Sequence, residues 1–356
     1  MTTPDASVDR GSMSETPPDR DVIRFPALIG DIGGTNARFA LVGDGDGPAH
    51  RFANAQTADF ATIDDAIAAT VLPVARPRSA VLAVAGPVQG DRVPLTNCPW
   101  VVEPRRMIER LGLDEVILLN DFEAQALSLP GLGAGDLLAI GNGEAVENAA
   151  RVAVGPGTGL GAAGMIHARG TWFPVPGEGG HIDLAPVTAR DFAIWPHIDE
   201  PFSSGPYRRI SGETLLCGAG LVRLYKAVVA ADGAKARFDD PAEVTAAAMD
   251  GSDGAAEEAL SLFCVHLGRL AGNLALAFMA RGGVFLAGGI AARIAPFLAE
   301  SGFRAAFIDK APHQALMDKM PTSVVIHPEP ALAGLTAYAR RPETFGVSTE
   351  GRHWRR

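Results

Sequence analysis

The sequence predicts an α/β protein whose two related halves face a shared cleft. Apolar runs typical of buried strands alternate with helical patterns along the 356 residues, which favours open sheets with helices on their faces. In addition, an apolar run, a glycine turn that contains a threonine, and a second apolar run occur once in each half, over residues 25–42 and 151–167. Two such turns have an obvious joint use on one ligand, so we expect them to meet across a cleft.

Length and composition limit the classes of function. A chain of this length suggests about two domains, and 47% hydrophobic with 20% charged residues is typical of a soluble globular protein. The formal net charge is −10 and no dense block of Lys and Arg occurs, which argues against a nucleic acid or an anionic membrane as partner. Polar residues inside the apolar run 255–280 indicate a packed helix rather than a membrane span.

The cysteines and the amino-terminal segment bear on the compartment. Cys98, Cys217 and Cys264 are scattered and form no CxxC pair, which disfavours a disulfide scaffold and a zinc cluster and favours a reducing cytoplasm. Residues 1–24 are rich in Asp, Ser, Thr, Pro and Arg and lack the apolar segment of a signal peptide. We therefore expect a disordered lead, in which Gly11-Ser12-Met13 resembles a second start.

The first glycine turn follows Asp31. Gly33 and Gly34 precede Thr35 and Asn36, and strand-like runs flank them, which is typical of a hairpin. Glycine lets a backbone approach a ligand closely, and successive amide groups there can face an anion. A carboxylate beside the turn suits a hydrated Mg²⁺ that accompanies the anion. The alternative is an ordinary tight hairpin in which the Asp and the Asn serve turn chemistry.

The second glycine turn runs from Gly155 to Gly161, between strand-like segments over 151–154 and 162–167. Its residues 159–164 satisfy the GxGxxG pattern of dinucleotide-binding proteins, but that pattern requires a helix after the glycines. Residues 165–170 look like a strand and a turn instead, and no P-loop motif occurs. We therefore interpret this turn as a second anion-binding hairpin rather than a Rossmann site.

Polar residues stand at the end of one predicted strand. Residues 115–121 form a strand that ends in Asn120 and Asp121, and a helix over 122–129 follows. Ligands of open α/β sheets gather beyond the carboxyl ends of strands, which makes this pair a candidate site.

The sequence predicts further strands and helices. Strands are expected over 50–56, 79–85 and 323–327. Helices are expected over 63–72, capped by Asp59 or Thr62, and over 104–111, 221–230 and 330–340.

Three further segments are candidates for ligand contacts. Glu178 and His181 flank two glycines and can together hold the hydroxyls of a polyol; the alternative is a surface Glu and a core His. Glu213 introduces a helix, where an acidic residue is otherwise expected because of the helix dipole. Gly288 and Gly289 follow a predicted strand and could admit a purine ring or a ribose, or could simply form a strand-to-helix turn.

These motifs resemble those of the bacterial ATP-dependent glucokinases, in the actin/hexokinase-like sugar-kinase superfamily. The resemblance covers nearly the whole chain from about residue 25 to residue 340 and rests on five motifs in the order of the family, over 30–36, 119–124, 155–161, 178–181 and 288–290. It implies an α/β fold of two ribonuclease H-like (actin-like ATPase) domains around a cleft. The implied division is a small domain over 25–131 and 328–342 and a large domain over 132–327. The polar sequence over 343–356 predicts a flexible tail.

The resemblance also implies roles for individual residues. Asp121 would be the general base at the sugar 6-hydroxyl, and Asn120 would orient the sugar. The remaining sugar hydroxyls would be held by Glu178, His181 and Glu213.

The same resemblance implies that ATP lies between the two hairpins and that Asp31 reaches Mg²⁺ through water. The residues expected to bracket the phosphates are Gly33, Gly34, Thr35, Gly157 and Thr158. Gly30, Asp31 and Ile32 are also expected to bind the nucleotide, and Gly288 and Gly289 are expected near the adenosine.

Two departures from the family pattern occur shortly after Glu213. Cys217 and Ala219 stand where the family usually has the Ser and the Pro of a Ser-Gly-Pro-Gly motif. The related zinc-carrying sugar kinases and repressors have a cysteine cluster downstream of a similar Glu-x-Gly-His motif. This sequence has no such cluster, which excludes the metal site of that branch.

The implied function is the phosphorylation of D-glucose at its 6-hydroxyl by Mg-ATP. The apolar helices favour a homodimer, and the scattered cysteines favour the cytoplasm. The chemistry agrees, because phosphoryl transfer needs alignment, charge neutralisation and a base for the hydroxyl. Three alternatives are a kinase for another hexose such as mannose or fructose, a sugar-responsive regulator without catalysis, and an ATPase of the actin or chaperone type. The short polar lead disfavours the regulator, and the polar residues expected at the sugar disfavour a simple ATPase.

Overall fold

The structure is a computed structural model that describes residues 23–96, 98–201 and 209–356. Its strands are β1 (Ala27–Ile32), β2 (Asn36–Val42), β3 (His50–Arg51), β4 (Ala55–Gln56), β5 (Ser79–Val84), β6 (Val93–Pro94), β7 (Val101–Val102), β8 (Glu115–Asn120), β9 (Leu137–Ile140), β10 (Arg151–Pro156), β11 (Leu160–Ala168), β12 (Thr171–Gly177), β13 (Gly283–Leu286), β14 (Thr322–Val325) and β15 (His353–Arg355).

The helices of the described residues are α1 (Ile63–Thr70), α2 (Pro104–Leu111), α3 (Asp121–Ser128), α4 (Ala189–Ile194), α5 (Gly212–Leu215), α6 (Gly218–Ala231), α7 (Pro241–Met249), α8 (Gly254–Phe278), α9 (Gly289–Arg293), α10 (Ala295–Glu300), α11 (Phe303–Ile308), α12 (Gln314–Asp318) and α13 (Pro330–Arg340).

Two mixed sheets share one topology. The strand order is β15-β8-β5-β1-β2-β3 in the first, where β4 also pairs with β2, and β12-β11-β10-β13-β14-β9 in the second. In each sheet a central strand pairs antiparallel with the strand that follows its glycine turn and parallel with a later strand: β1 with β2 and β5, and β10 with β11 and β13. This repeated arrangement confirms the prediction of an α/β protein with two related halves.

Helices cover both faces of the first sheet. All six residues of β5 and the first five of β8 are buried, as the continuous apolar sequence of each strand predicts. One face packs against α1 and α2, and the other packs against α3 and α13. The carboxyl ends of β1, β5 and β8 stay uncovered by this packing, which leaves room for a site at that edge of the sheet.

The chain returns to the first sheet after it has completed the second. Leu332 and Leu335 of α13 share a buried cluster with Val81 and Ile117 of the first sheet. The same cluster includes Phe285 of the second sheet, so the two halves are joined by apolar packing. The exact limits of the two domains, at 131/132 and 327/328, stay a prediction.

Helix α8 lies in the core of the second half. By length and composition alone, this helix could cross a membrane. However, 67% of its most apolar 18-residue window is buried inside the fold. Phe263, Leu267 and Leu270 are fully buried in it. The packing agrees with our interpretation of the run 255–280 as a core helix.

The structure refines the prediction for one strand and for one helix cap. Residues 50–56 form two separate short strands, β3 and β4, rather than one. Of the two candidate caps for α1, Thr62 fills the position, because its hydroxyl oxygen accepts the Asp65 N–H at 3.2 Å.

The prediction of a flexible tail over 343–356 was wrong. Residues 353–355 form β15, which pairs antiparallel with β8 and extends the first sheet. The side chain of Trp354 is buried and donates a hydrogen bond to Asp91 at 2.6 Å, and His353 Nε2 lies 2.8 Å from Glu115 Oε2. An aromatic anchor and a buried acidic partner therefore hold the tail on the sheet.

The predicted lead over 1–24 lies outside the described residues except at its end. There Ile23 is buried, and the Arg24 N–H donates to Ser79 Oγ at 3.0 Å. These two residues therefore belong to the fold rather than to the lead.

Candidate active site

A cavity of about 730 Å³ lies where the carboxyl ends of strands from both sheets meet. Polar side chains and glycine turns from the two halves line it together. Nine predicted site residues are among its lining residues: Gly33, Gly34, Asn120, Asp121, Gly157, Thr158, Glu178, His181 and Glu213.

Asn120 caps helix α3 at the edge of this cavity. Its Oδ1 accepts the N–H groups of Phe122 at 2.9 Å and Glu123 at 3.3 Å, and the Glu123 carboxylate accepts the Asn120 N–H at 3.4 Å, which completes a capping box. The amide nitrogen of Asn120 donates to Gly86 O at 3.3 Å. Because that nitrogen has two hydrogens, the second is available to a ligand hydroxyl.

Asp121 is the first residue of α3 and lines the cavity beside Asn120. Burial raises the pKa of its carboxyl to about 6; the Phe122 N–H, which donates at 2.9 Å, opposes this rise, and the negative charges of Asp31 and Glu178 add to it. A carboxylate whose pKa lies this close to neutrality can accept a proton during a reaction and release it afterwards.

Three polar residues line the cavity from the second half. Glu178 follows β12, and its Oε2 lies 3.9 Å from Nε2 of His181; their side chains are 74% and 46% exposed. Glu213 lies in α5, and its Oε2 accepts the Leu160 N–H at 2.8 Å, which holds the carboxylate beside the second glycine turn. Two carboxylates and an imidazole can together bind several hydroxyl groups.

The first glycine turn joins β1 to β2, as predicted. The Gly33 N–H donates to Asn36 O at 3.0 Å, and the Thr57 hydroxyl donates to Gly34 O at 2.8 Å. Both glycines line the cavity, and Thr35 beside them is exposed. Hairpin geometry by itself suits either interpretation of the turn, and the position at the cavity favours an anion-binding role.

The residues just before this turn are placed differently. Ile32 is fully buried, and a methyl group on Gly30 would lie 2.7 Å from Leu82 Cδ2, so neither residue lines the cavity. Asp31 faces Arg38 across the hairpin, with Oδ2 3.3 Å from Nη1. Burial raises the pKa of Asp31, and the Arg38 charge opposes that rise.

Asp31 is also the candidate residue for magnesium. Among the residues that the structure describes, no group of three or more His, Cys, Asp or Glu side chains is arranged to hold a metal ion. Mg²⁺ usually keeps several waters and is bound through one or two carboxylates together with substrate phosphates. A single carboxylate next to a glycine turn therefore fits this mode of binding.

The second glycine turn, between β10 and β11, packs against side chains from other elements. A methyl group on Gly161 would lie 1.9 Å from the ring of Phe122, and one on Gly155 would lie 2.4 Å from it. A methyl group on Gly159 would lie 2.6 Å from Glu213 Oε2. Glycine is needed at these positions for close packing, whatever ligand the turn binds.

Gly288 and Gly289 lie at the start of α9 and do not line the cavity. Gly288 has a φ of +87°, and a methyl group on it would lie 2.8 Å from Pro156 O, so this residue packs directly on the second glycine turn. A methyl group on Gly289 would have nothing within 4 Å, which indicates open space beside the turn.

Other cavity residues were not among those we predicted. Gly86 and Pro87 follow β5, and Thr96 lies close to Gly86. The rule that ligands gather beyond strand ends applies to β5 as it does to β8, so the end of the predicted strand 79–85 was the available signal. Phe122 and Leu160 offered no signal, because an apolar residue beside a site looks like a core residue in a sequence.

The two departures from the family pattern leave Glu213 in the cavity. Cys217 is the cap residue of α6, and its Sγ accepts the Gly220 N–H at 3.3 Å, as a serine hydroxyl would. Ala219 is exposed. The replaced Ser and Pro are therefore not needed for the position of this carboxylate.

Similar proteins define the family. A family model described as Glucokinase matches residues 28–342. A glucokinase of Mesorhizobium japonicum is 58% identical over 334 residues, and one of Rhizobium etli is 55% identical over 334; both matches cover 93% of this chain and 96% of the relative.

Solved structures show the same relationship. A glucokinase from an Antarctic psychrotroph has a TM-score of 0.77 at 33% identity, over 89% of this chain and 100% of that chain. A ROK family glucokinase from Streptomyces griseus in complex with glucose and AMPPNP has a TM-score of 0.59 at 22% identity, over 88% and 99%, which shows the shared fold alone. With a family match over most of its length and relatives above 50% identity, this chain belongs to the glucokinase family.

Proposed function

We propose that this glucokinase-family enzyme transfers the terminal phosphoryl group of ATP to the 6-hydroxyl of D-glucose, which yields glucose 6-phosphate and ADP. The observation that supports the proposal best is the environment of Asp121, whose carboxyl has a pKa of about 6 and lies in a cavity lined by glycine turns from both halves. In this proposal Asp121 is the general base that accepts the proton of the 6-hydroxyl during transfer.

The sugar contacts groups from both halves in this proposal. Asn120, fixed by the α3 cap, donates from its amide nitrogen. Glu178 and Glu213 accept from sugar hydroxyls, and His181 donates or accepts. A cavity with this many polar side chains suits a polyol better than an apolar ligand, and the relatives named glucokinase support glucose as that polyol.

The phosphates of ATP lie between the two glycine turns in this proposal. Backbone N–H groups there can neutralise the phosphate charge without any reorganisation during the reaction. The residues proposed at the phosphates are Gly33, Gly34, Thr35, Gly157 and Thr158, with Gly30 and Ile32 supporting the first turn. Gly288 and Gly289 are proposed near the adenosine, which the open space at Gly289 supports.

Asp31 is proposed to hold Mg²⁺ through water. When bound, the cation neutralises charge on the phosphates and helps to orient the terminal phosphoryl group. The contribution of the chain itself is one carboxylate in reach of the first glycine turn, with Arg38 opposite it.

We further propose a cytoplasmic homodimer. Cys98, Cys217 and Cys264 are unpaired in the structure, which suits a reducing compartment. Val187 and Phe192 are 61% and 62% exposed and are candidates for apolar contacts between two copies. Sedimentation equilibrium of the purified enzyme would test the oligomeric state.

The function is tested by ADP release with Mg-ATP and glucose, mannose, fructose or no sugar. We expect the highest kcat/KM with glucose; preference for another hexose would assign a different kinase, and sugar-independent release would favour an ATPase. Asp121→Asn is expected to lower kcat by about 10²–10⁴-fold, because a general base is lost. Calorimetry should show that this variant still binds glucose, and unchanged turnover would remove Asp121 from its proposed role.

A further inference from the structure

We infer that Arg352, close to the carboxyl terminus, is a positioning residue for Asp121 and acts through the buried carboxylate of Glu123. This inference rests on the proposed role of Asp121 as the base. Arg352 Nη1 lies 2.5 Å from Glu123 Oε2, and Nη2 lies 3.2 Å from Oε1, so the contact is bidentate. Glu123 is 1% exposed, and the side chain of Arg352 is 15% exposed.

Glu123 connects this ion pair to the candidate active site. It is the third residue of α3, and Asp121 is the first. Oε2 of Glu123, the oxygen nearer to Arg352, also accepts the Asn120 N–H at 3.4 Å. One carboxylate therefore joins the tail arginine to the backbone of the residue immediately before Asp121.

The backbone of Arg352 is fixed as well. Its carbonyl oxygen accepts the Leu118 N–H of β8 at 3.0 Å, and β15 begins at the next residue and pairs with the same strand. Arg352 thus contacts the strand that leads into the Asn120–Asp121 pair and the helix that follows it. Trp354 holds the tail through Asp91, so the tail keeps an anchor when the Arg352 side chain is replaced.

Loss of the guanidinium would leave a buried carboxylate without a counter-ion. Such a group is strongly unfavourable, and it recovers solvation by moving or by admitting water. Either change would disturb the first turn of α3, and a misplacement of about 1 Å in a catalytic group can cost about 100-fold in rate. Asn120 is the one proposed sugar-binding residue beside this turn apart from Asp121, whereas Glu178, His181 and Glu213 lie in the second half. Sugar affinity is therefore expected to fall much less than turnover.

The test compares kcat, KM for ATP and the glucose Kd from calorimetry among variants of the full chain. Arg352→Met is expected to lower kcat by about 10- to 100-fold and to change the glucose Kd by no more than about threefold. Arg352→Lys should lower kcat less than Arg352→Met does, because lysine keeps the positive charge although it cannot make the bidentate contact. Arg341→Met is the matched control, since Arg341 is 66% exposed and lies 3.8 Å from Asp46; it should stay within about twofold of the parent enzyme.

A double variant separates the buried charge from simple tail packing. Glu123→Gln removes the charge but keeps an oxygen that can accept the Asn120 N–H. If the uncompensated carboxylate disturbs Asp121, the Glu123→Gln/Arg352→Met variant should recover at least about threefold in kcat over Arg352→Met alone. A double variant no more active than the single one would overturn the inference, because the loss would then come from tail packing.

Two further results would also overturn it: a kcat for Arg352→Met within about twofold of the parent, or a parallel loss of kcat and glucose affinity. If Arg352→Met does not fold, Arg352→Lys decides through the same comparison of kcat with glucose Kd. Asp121→Asn is assayed alongside. Retained turnover there would refute the proposed base, whereas an inactive Asp121→Asn beside a fully active Arg352→Met would refute the positioning role alone.

Discussion

In the proposed mechanism, the acid side of the pH–activity profile depends directly on Asp121. Burial raises the pKa of this carboxyl to about 6, so the proton stays bound at pH values where an ordinary aspartate is ionised. Because a general base must be deprotonated, activity should be lost as the pH falls through about 6 rather than through about 4.

The magnitude follows from the fraction of ionised carboxyl groups. With a pKa of about 6, roughly nine-tenths of Asp121 is ionised at pH 7 and roughly one-tenth at pH 5. The value of kcat/KM for glucose, which reports on the enzyme before glucose binds, should therefore fall about tenfold between these two pH values. At the ordinary value of 3.8, the fall would be about a tenth or less.

The assay is direct measurement of ADP at saturating Mg-ATP and low glucose, since a coupling enzyme would add its own pH dependence. Enzyme held at pH 5 and returned to pH 7 must regain full activity, which excludes acid unfolding. Glu178→Gln should move the midpoint to lower pH, because the Glu178 charge contributes to the raised pKa of Asp121. A profile that is flat from pH 7 to pH 5 would refute the assignment of Asp121 as a base with a raised pKa.

The remaining predictions concern packing and binding. Gly161→Ala should lower the free energy of unfolding by about 1–3 kcal/mol in denaturant titrations, because the new methyl group meets the Phe122 ring, whereas Gly43→Ala, which meets nothing within 4 Å, should not. Asp191→Ala should lower the free energy of unfolding by about 3–5 kcal/mol, because this fully buried carboxylate lies 2.8 Å from Arg269 Nη1. An unchanged KM for glucose would show that the effect is on stability alone. Glu213→Ala should raise the glucose Kd about tenfold or more by loss of a charged acceptor, and unaltered calorimetric affinity would remove this residue from the sugar site.

Local signals made much of the fold predictable from the sequence. The predicted helices 104–111 and 330–340 agree with the bounds of α2 and α13, and a proline stands at the first position of each. Continuous apolar runs gave the buried strands β5 and β8, and glycine turns between apolar runs gave both hairpins. These features depend on neighbouring residues, so spacing alone was sufficient.

Features that depend on distant contacts were not predictable in this way. The polar sequence of the tail predicts a flexible segment. In the structure, however, Arg352 contacts Glu123, which is 229 positions away in the sequence, and Trp354 contacts Asp91, which is 263 positions away. Glu213 accepts a hydrogen bond from the N–H of Leu160, which is 53 positions away in the sequence. Only the family resemblance therefore indicated a role for this glutamate. In each case the partner becomes a neighbour only after the sheets have formed.

Phe122 has a consequence for any redesign of this enzyme. It directly follows Asp121 in the chain, while its ring occupies the space that side chains at positions 155 and 161 would need. A larger residue in the second turn, introduced to accept a different phosphate donor, would push on the ring and shift the aspartate next to it. In the proposed mechanism, donor preference and acceptor deprotonation are therefore linked through this ring and have to be engineered together.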